Sequence, residues 1–301
     1  MIDKSNISAK ESVLVEYSGG LDSTLTAMLM AKKFKRVFLV TYEASWTIGN
    51  NNSKKNVSEL IKLNPECLIE HKIISITKLR NNVWEGFSGF SKDYAKFCHG
   101  GPPGIICLGC KTSMLVMSIQ ICLEENIGYI TNGLTGTQSD HPEHMPPIVN
   151  RFSKFMEEYN ISYVNDVYDI KSRAEEEEML KEKGITVGTT IGASNVTHQP
   201  RCFLGVYSTL WKASRPLSQK DMINYFDYKL PLIRKLLEPY SELKNKFIEI
   251  NSKGTSTKID ENKDYKYNYE FGKNADKFMS YTLSPLWWLS KFVFWITRRI
   301  S

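Results

Sequence analysis

The sequence predicts an α/β protein, a doubly wound parallel sheet followed by a helical C-terminal extension. Three observations predict it. Short apolar runs alternate with amphipathic helical stretches over the first two thirds of the chain, the first apolar run ends in a Gly-Gly turn that opens a helix, and strand-like runs cease after about residue 218. Residues 13–17, Val-Leu-Val-Glu-Tyr, read as a strand. Leu21, Leu25, Met28 and Leu29 mark one face of a helix over 21–34, and 37–42 is a second strand, so the chain opens with a βαβ unit. Residues 53–64 give a second helix and 68–76 a third strand. The Gly- and Pro-rich stretch 84–106 is expected to be an irregular excursion. A long helix is expected over 111–125, a strand over 128–131, a helix from Pro146-Pro147 to about 159, and a strand over 161–167. Ser172-Arg173-Ala174-Glu175 reads as a capping box for a helix that stops at Gly184; the acidic run 175–178 reads as that helix's solvated first turns, with no chemistry assigned. Residues 216–250 are helical, 251–270 form a polar flexible linker, and 271–301 an aromatic and basic segment.

At 301 residues, with 42% hydrophobic and 24% charged residues, the chain can bury a full core, which excludes a mainly disordered protein. A formal charge of +6 permits contact with RNA, a nucleotide or an anionic membrane and requires none of them. Residues 1–11 are polar and charged without an apolar signal-type stretch, so a cytoplasmic protein is expected. In a reducing compartment the six cysteines point to metal binding or redox chemistry rather than to disulfides.

Ser18-Gly19-Gly20-Leu21-Asp22-Ser23, between the first strand and the first helix, predicts an ATP site. Two glycines let backbone N–H groups turn inward with no Cβ in the way, and the helix N-terminus adds its positive dipole end, so the turn cradles phosphate. The Lys of a Walker A loop and the third Gly of a dinucleotide loop are both missing. The motif resembles the PP-loop of the ATP pyrophosphatase superfamily, whose signature is Ser-Gly-Gly-x-Asp-Ser after the first strand. The resemblance implies a Rossmann-like, HUP-type sheet, ATP with Mg2+, and cleavage between the α and β phosphates. It assigns ATP binding to Ser18, Gly19, Gly20, Asp22 and Ser23, with Asp22 also catalytic. Thr41, at the carboxyl end of the second strand, lies where this fold holds adenosine, and Gly133 follows the fourth strand. The family often has Thr-Gly-His there; here the run is Thr131-Asn132-Gly133-Leu134. Asp140, His141 and His144 read equally as a plain loop or a metal-assisting one, and Lys111 and Arg201 as phosphate contacts or surface residues.

Cys107-Leu108-Gly109-Cys110-Lys111 and Cys202-Phe203-Leu204-Gly205 are the next signals. A lone C-x-x-C is compatible with zinc, a redox pair or neither. Within PP-loop enzymes, however, this set resembles the sulfur-inserting branch: the tRNA 2-thiouridine synthetases, the cluster-dependent tRNA thiolases and the sulfur transferase of nickel-pincer cofactor assembly. The resemblance covers about residues 12–215, making 1–215 the PP-loop domain. It implies an ATP-dependent sulfurtransferase that adenylates a carbonyl oxygen of a tRNA nucleobase or a small molecule and replaces it by sulfur from a donor protein or sulfide. Two routes fit. In one, Cys202 carries a persulfide that Cys110 resolves; in the other, Cys107, Cys110 and Cys202 hold a four-iron four-sulfur cluster. Cys98, Cys107 and Cys110 also repeat part of the zinc site of the 7-cyano-7-deazaguanine synthases, with Ser113 in the fourth place. The alternative function is therefore an amide ligase or deazaguanine-type synthase using ammonia, and Cys202, which ammonia chemistry does not need, discriminates against it. A nucleotide-binding module without turnover is a third reading, against which the intact loop argues. Cys67 and Cys122 read as core residues. The tail, with Trp287, Trp288, Phe292, Phe294 and Trp295 beside Lys291, Arg298 and Arg299, fits a helix docked on the body or on a second copy in a homodimer, or a segment lying on a membrane surface.

Overall fold

A computed structural model describes residues 4–49, 53–101, 103–185, 201–202 and 217–253. In chain order the elements are β1 (Ser12–Glu16), α1 (Leu21–Lys33), β2 (Arg36–Glu43), β3 (Thr47–Ile48), α2 (Lys54–Leu63), β4 (Leu68–Ser75), α3 (Thr77–Trp84), α4 (Gly86–Cys98), α5 (Gly104–Glu125), β5 (Tyr129–Asn132), α6 (Pro146–Glu157), β6 (Ser162–Val164), α7 (Arg173–Glu182), β7 (Arg201–Cys202), α8 (Gln219–Leu237) and α9 (Ser241–Lys253). Five strands form a parallel sheet in the order β4-β2-β1-β5-β6, and β3 pairs antiparallel with β7. The expected doubly wound fold is observed.

The period-two alternation of strand side chains builds two cores. Leu14, Phe38, Val40 and Tyr42 pack with α3, α5, α6 and α8, whereas Val13, Val15, Val37 and Leu39 pack with α1, α2 and α7. Every residue of β1 is buried, which suits the central strand of a sheet covered on both faces. Because β1 lies between β2 and β5, the loops after β1 and β5 diverge at the carboxyl edge, where this architecture opens a ligand cleft.

Residues 84–106 are not the irregular excursion the composition suggests. Glu85, left-handed at φ 55, ends α3 and starts α4, and α5 begins at Gly104 rather than near 111. Phe90, Tyr94 and Phe97 recur at helical spacing and pack on the core, a periodicity masked by the neighbouring glycines. The C-x-x-C is consequently carried on a helix. α5 is long and apolar enough to cross a membrane by length and composition, but 67% of that window is buried inside the protein. α8 packs on α4 and α5, and its Lys229, 1% exposed, is held by Asp93 at 2.7 Å and Glu85 at 2.9 Å. α9 runs to Lys253, so the helix enters the stretch expected as linker. The rest of that stretch and the aromatic segment 271–301 lie outside the described residues.

Candidate active site

β1 leads through Tyr17 into the Gly-Gly turn. Gly19 has φ +76, and a Cβ there would stand 2.7 Å from Ser53 Cα, so only glycine fits both the conformation and the space. Asn56 Nδ2 donates to Gly19 O at 3.0 Å and fixes the turn against the start of α2. Inside the loop the hydroxyls hold one another: Ser18 Oγ and Ser23 Oγ are 3.0 Å apart, Ser23 Oγ accepts from Ser18 N at 3.2 Å, and Ser18 Oγ accepts from Gly20 N at 3.2 Å. Gly20 caps α1 without a side chain, leaving the first-turn N–H groups, which no helix satisfies internally, for a ligand. Gly133, after β5, closes on this turn; a Cβ on it would lie 2.8 Å from Ser23 N and 3.0 Å from Asp22 C. The structure thus brings Ser18, Gly19, Gly20, Asp22, Ser23 and Gly133 to one place at the switch point.

Thr41 is buried and its hydroxyl is engaged, donating to Tyr17 O at 2.7 Å and meeting His71 Nε2 at 2.8 Å. It ties the exits of β1 and β2 together, while burial lowers the His71 pKa to about 4 and keeps that ring neutral. His144 is likewise buried and clamps Thr135 through its Nδ1, 3.1 Å from Thr135 N, with burial holding its pKa down.

The acidic run 175–178 does not behave as a solvated turn throughout. Ser172 caps α7 as expected, accepting from Glu175 N at 3.2 Å, but Glu175 reaches back to Lys171 N at 3.1 Å rather than to the cap itself. Glu176 is only 4% exposed and hydrogen-bonds Asp22 of the phosphate loop. Burial, followed by the Asp22 hydrogen bond and its charge, raises the Glu176 pKa to about 8, so a neutral Glu176 donates to the Asp22 carboxylate. Gln138 Nε2 adds a contact to Asp22 at 3.4 Å. The signal missed was phase: Glu176 shares a helix face with the buried Leu180.

A pH prediction follows from this pair. Glu176 rises from 4.5 to about 8 on folding, so its protonated form stabilises the fold fully at low pH and that contribution is lost as pH rises through about 8. The melting temperature of Glu176→Gln should gain on that of the wild type between about pH 5 and about pH 9. His71 and His144, lowered by burial, change stability in the opposite sense at the acid end, but equally in both proteins. Thermal scans giving a flat difference between the two proteins would refute the shared proton.

Two elements carry the cysteines. Cys107 and Cys110 lie one turn apart on α5, both half-buried, and the β3–β7 pairing sets Cys202 opposite Thr47. Cys110 and Cys202 each act electrostatically on Arg80, and Cys202 acts on Cys110. Burial pushes the Cys110 thiol up to about 12; Arg80 and Lys111 pull it down, while Cys202 and Glu143 push it further up. Lys111 is not a surface residue. Its side chain is 11% exposed and pairs with the buried Glu16, which also accepts from Ser118 Oγ at 3.0 Å and Asn132 Nδ2 at 3.5 Å. This network couples the cysteine helix to the ends of β1 and β5, beside the phosphate loop.

Cys98 ends α4 half-buried, and Cys67 and Cys122 are buried as expected. Among the described residues no three His, Cys, Asp or Glu side chains come together as a metal site requires. Neither the Cys107, Cys110 and Cys202 set nor the set with Cys98 forms a cradle for iron–sulfur or zinc in this arrangement. The side chain of Arg201 and residues 203–216 lie outside the described residues.

No family model and no curated protein matches the sequence. Among solved structures the chain is similar to a predicted subunit of tRNA methyltransferase from Methanocaldococcus jannaschii, with 16% identity, 64% of this chain and 96% of that one covered, and a TM-score of 0.38. It is similar to a 4-thiouridine synthetase solved with RNA and bound ATP, with 15% identity, 79% and 53% covered, and a TM-score of 0.49; it spans about half of that protein's length. It is also similar to NMN synthetase from Francisella tularensis, with 12% identity, 78% and 87% covered, and a TM-score of 0.41. Ser-Gly-Gly-Leu-Asp-Ser turns from the central strand into α1 at the switch point of a doubly wound parallel sheet, the setting in which the sequence resemblance to the PP-loop expects it.

Proposed function

We propose that this protein is an ATP-dependent sulfurtransferase that adenylates a carbonyl oxygen of a nucleobase or small molecule, releases pyrophosphate and replaces the oxygen by sulfur. The observation that supports this reading is that Cys110 and Cys202, from distant parts of the chain, lie within electrostatic range of each other and of the buried Arg80. The acceptor's carbonyl oxygen attacks the α-phosphorus of ATP and the α–β bond breaks, the loop N–H groups and the Ser18 and Ser23 hydroxyls taking up charge on the departing pyrophosphate. A magnesium ion brought by the nucleotide would be held by phosphate oxygens near Asp22 and would supply charge neutralisation of the departing pyrophosphate. A persulfide on Cys202, loaded by a persulfide-carrying donor protein, then attacks the activated carbon through its terminal sulfur, and AMP leaves with the former carbonyl oxygen. Cys110 thiolate attacks Cys202 Sγ, the sulfur–sulfur bond to the acceptor breaks, and a thiocarbonyl product remains with a Cys110–Cys202 disulfide. A dithiol must reduce that disulfide before the next turnover, which suits the reducing cytoplasm. The PP-loop domain, 1–215, carries both steps, and the helical extension supports the cysteine helix through the packing of α8 on α5.

The decisive measurement is mass spectrometry of tRNA nucleosides and small thiolated metabolites from cells with and without the protein, followed by assay of AMP and pyrophosphate with the candidate acceptor. Loss of one thiolated species without the protein supports the reading. A product that gains nitrogen rather than sulfur would replace it by the ammonia-using alternative.

A further inference from the structure

Among the described residues Arg80 is a buried cation with no acid partner. It is 2% exposed, and among the described residues no carboxylate lies within ion-pair distance of it. Its Nη2 donates to Ser45 Oγ at 2.9 Å, its guanidinium lies 4.8 Å from the centre of the Trp84 ring, and its buried Nε has no partner among the described residues. A buried charge left uncompensated is costly, so the fold retains it against an anion that the described carboxylates do not supply. Both neighbours of the guanidinium lead to a cysteine. Ser45 is in the connection to β3, where Thr47 pairs with Cys202. The Trp84 ring lies against Gly109, next to Cys110, so closely that a Cβ on Gly109 would stand 2.4 Å from Trp84 Nε1.

We propose that Arg80 is the counter-charge of the sulfur site, holding as an anion the sulfur that passes between Cys202 and Cys110. The guanidinium suits this task because it keeps its charge when buried, and its remaining N–H fork can face a large, soft anion such as a thiolate or persulfide. The charged and titratable groups acting on Cys110 are Arg80, Cys202, Glu143 and Lys111; Lys111 is already matched by Glu16, and Arg80 has the largest lowering effect on the Cys110 thiol. Arg80 is thus a positioning residue for the sulfur step with no role in adenylation.

The inference rests on the sulfur-transfer reading, and the test separates the two. In the full-length protein without substrates, alkylation by iodoacetamide is followed at each cysteine by mass spectrometry, with Cys98 as internal standard. Arg80→Gln keeps a donor toward Ser45 and removes the charge; it should slow alkylation of Cys110 and Cys202 about tenfold at neutral pH and leave Cys98 unchanged. Arg80→Lys should restore most of the rate. Should Arg80→Gln fail to fold, the wild type decides: Cys110 and Cys202 should react faster with an anionic aromatic disulfide than with cationic cystamine, a preference that weakens in high salt. Unchanged rates in Arg80→Gln, loss of rate in Arg80→Lys equal to that in Arg80→Gln, or no charge preference in the wild type would each overturn the assignment. If the alkylation result holds but the wild type thiolates nothing, the sulfurtransferase reading fails and the anion site stands.

Discussion

Cys202→Ala and Cys110→Ala are each expected to abolish thiolation, by more than about a hundredfold, while single-turnover pyrophosphate release with acceptor stays near wild type. In the proposed mechanism both thiols act after adenylation. Both are half-buried, so exchange for the smaller alanine removes one sulfur atom without emptying a core position. If the pair works as the proposed unit, Cys202 delivering and Cys110 resolving, the double variant should be no worse than either single one. Cys110→Ala should still accumulate an acceptor joined to Cys202 through a disulfide, since attack on the activated carbon precedes resolution. Single turnover without a dithiol should trap a Cys110–Cys202 disulfide in a colourless protein, visible by peptide mapping. Thiolation surviving in Cys202→Ala would remove the persulfide route, and an iron–sulfur chromophore in protein purified without oxygen would restore the cluster.

The strand, loop and helix that begin the chain were legible because two independent signals agree there. An apolar run stops at a glycine pair, and a 3.6-residue periodicity starts after it; β1 and α1 fall within a residue of those limits. α4 was hidden because Gly86, Gly89, Gly100 and Gly101 weigh against a helix, although its aromatic stripe packs on the core. That error moved the C-x-x-C off a helix and obscured the one-turn spacing that places Cys110 toward Arg80. Arg80 itself leaves no local trace, since an arginine in a polar stretch looks like any surface residue; its meaning comes from the lack of a carboxylate beside it among the described residues, which is a tertiary fact. The same holds for Lys111, identified only by its buried partner Glu16. The approach of Cys202 to Cys110 depends on pairing β7 with β3 across the length of the domain, and no periodicity within either segment encodes a contact of that separation.

For the nucleotide site, Ser23→Ala should reduce pyrophosphate release by about a hundredfold to a thousandfold, the usual loss when one preorganised donor to developing charge is removed. Ser23 Oγ takes the Ser18 N–H and donates to Gly20 O at 3.2 Å, so its absence also loosens the turn that aims the backbone donors. Asp22→Asn should lose activity to a similar degree for a different reason: it removes the negative charge that accepts the Glu176 proton and leaves a neutral amide facing the nucleotide. Neither change touches core packing, so circular dichroism and melting should show a folded protein in both. Gly133→Ala separates position from chemistry. It deletes no donor, yet its Cβ would stand 2.8 Å from Ser23 N, where only backbone can move, so the start of α1 must shift away from the loop after β5. Rate losses from active-site displacements of about an ångström are of the order of a hundredfold, which makes this substitution as damaging as removal of the hydroxyl if the turn is the phosphate cradle. Normal pyrophosphate release in Gly133→Ala, together with retained ATP cleavage in Asp22→Asn and Ser23→Ala, would place nucleotide chemistry elsewhere on the sheet and leave the Gly-Gly turn a purely structural connection between β1 and α1.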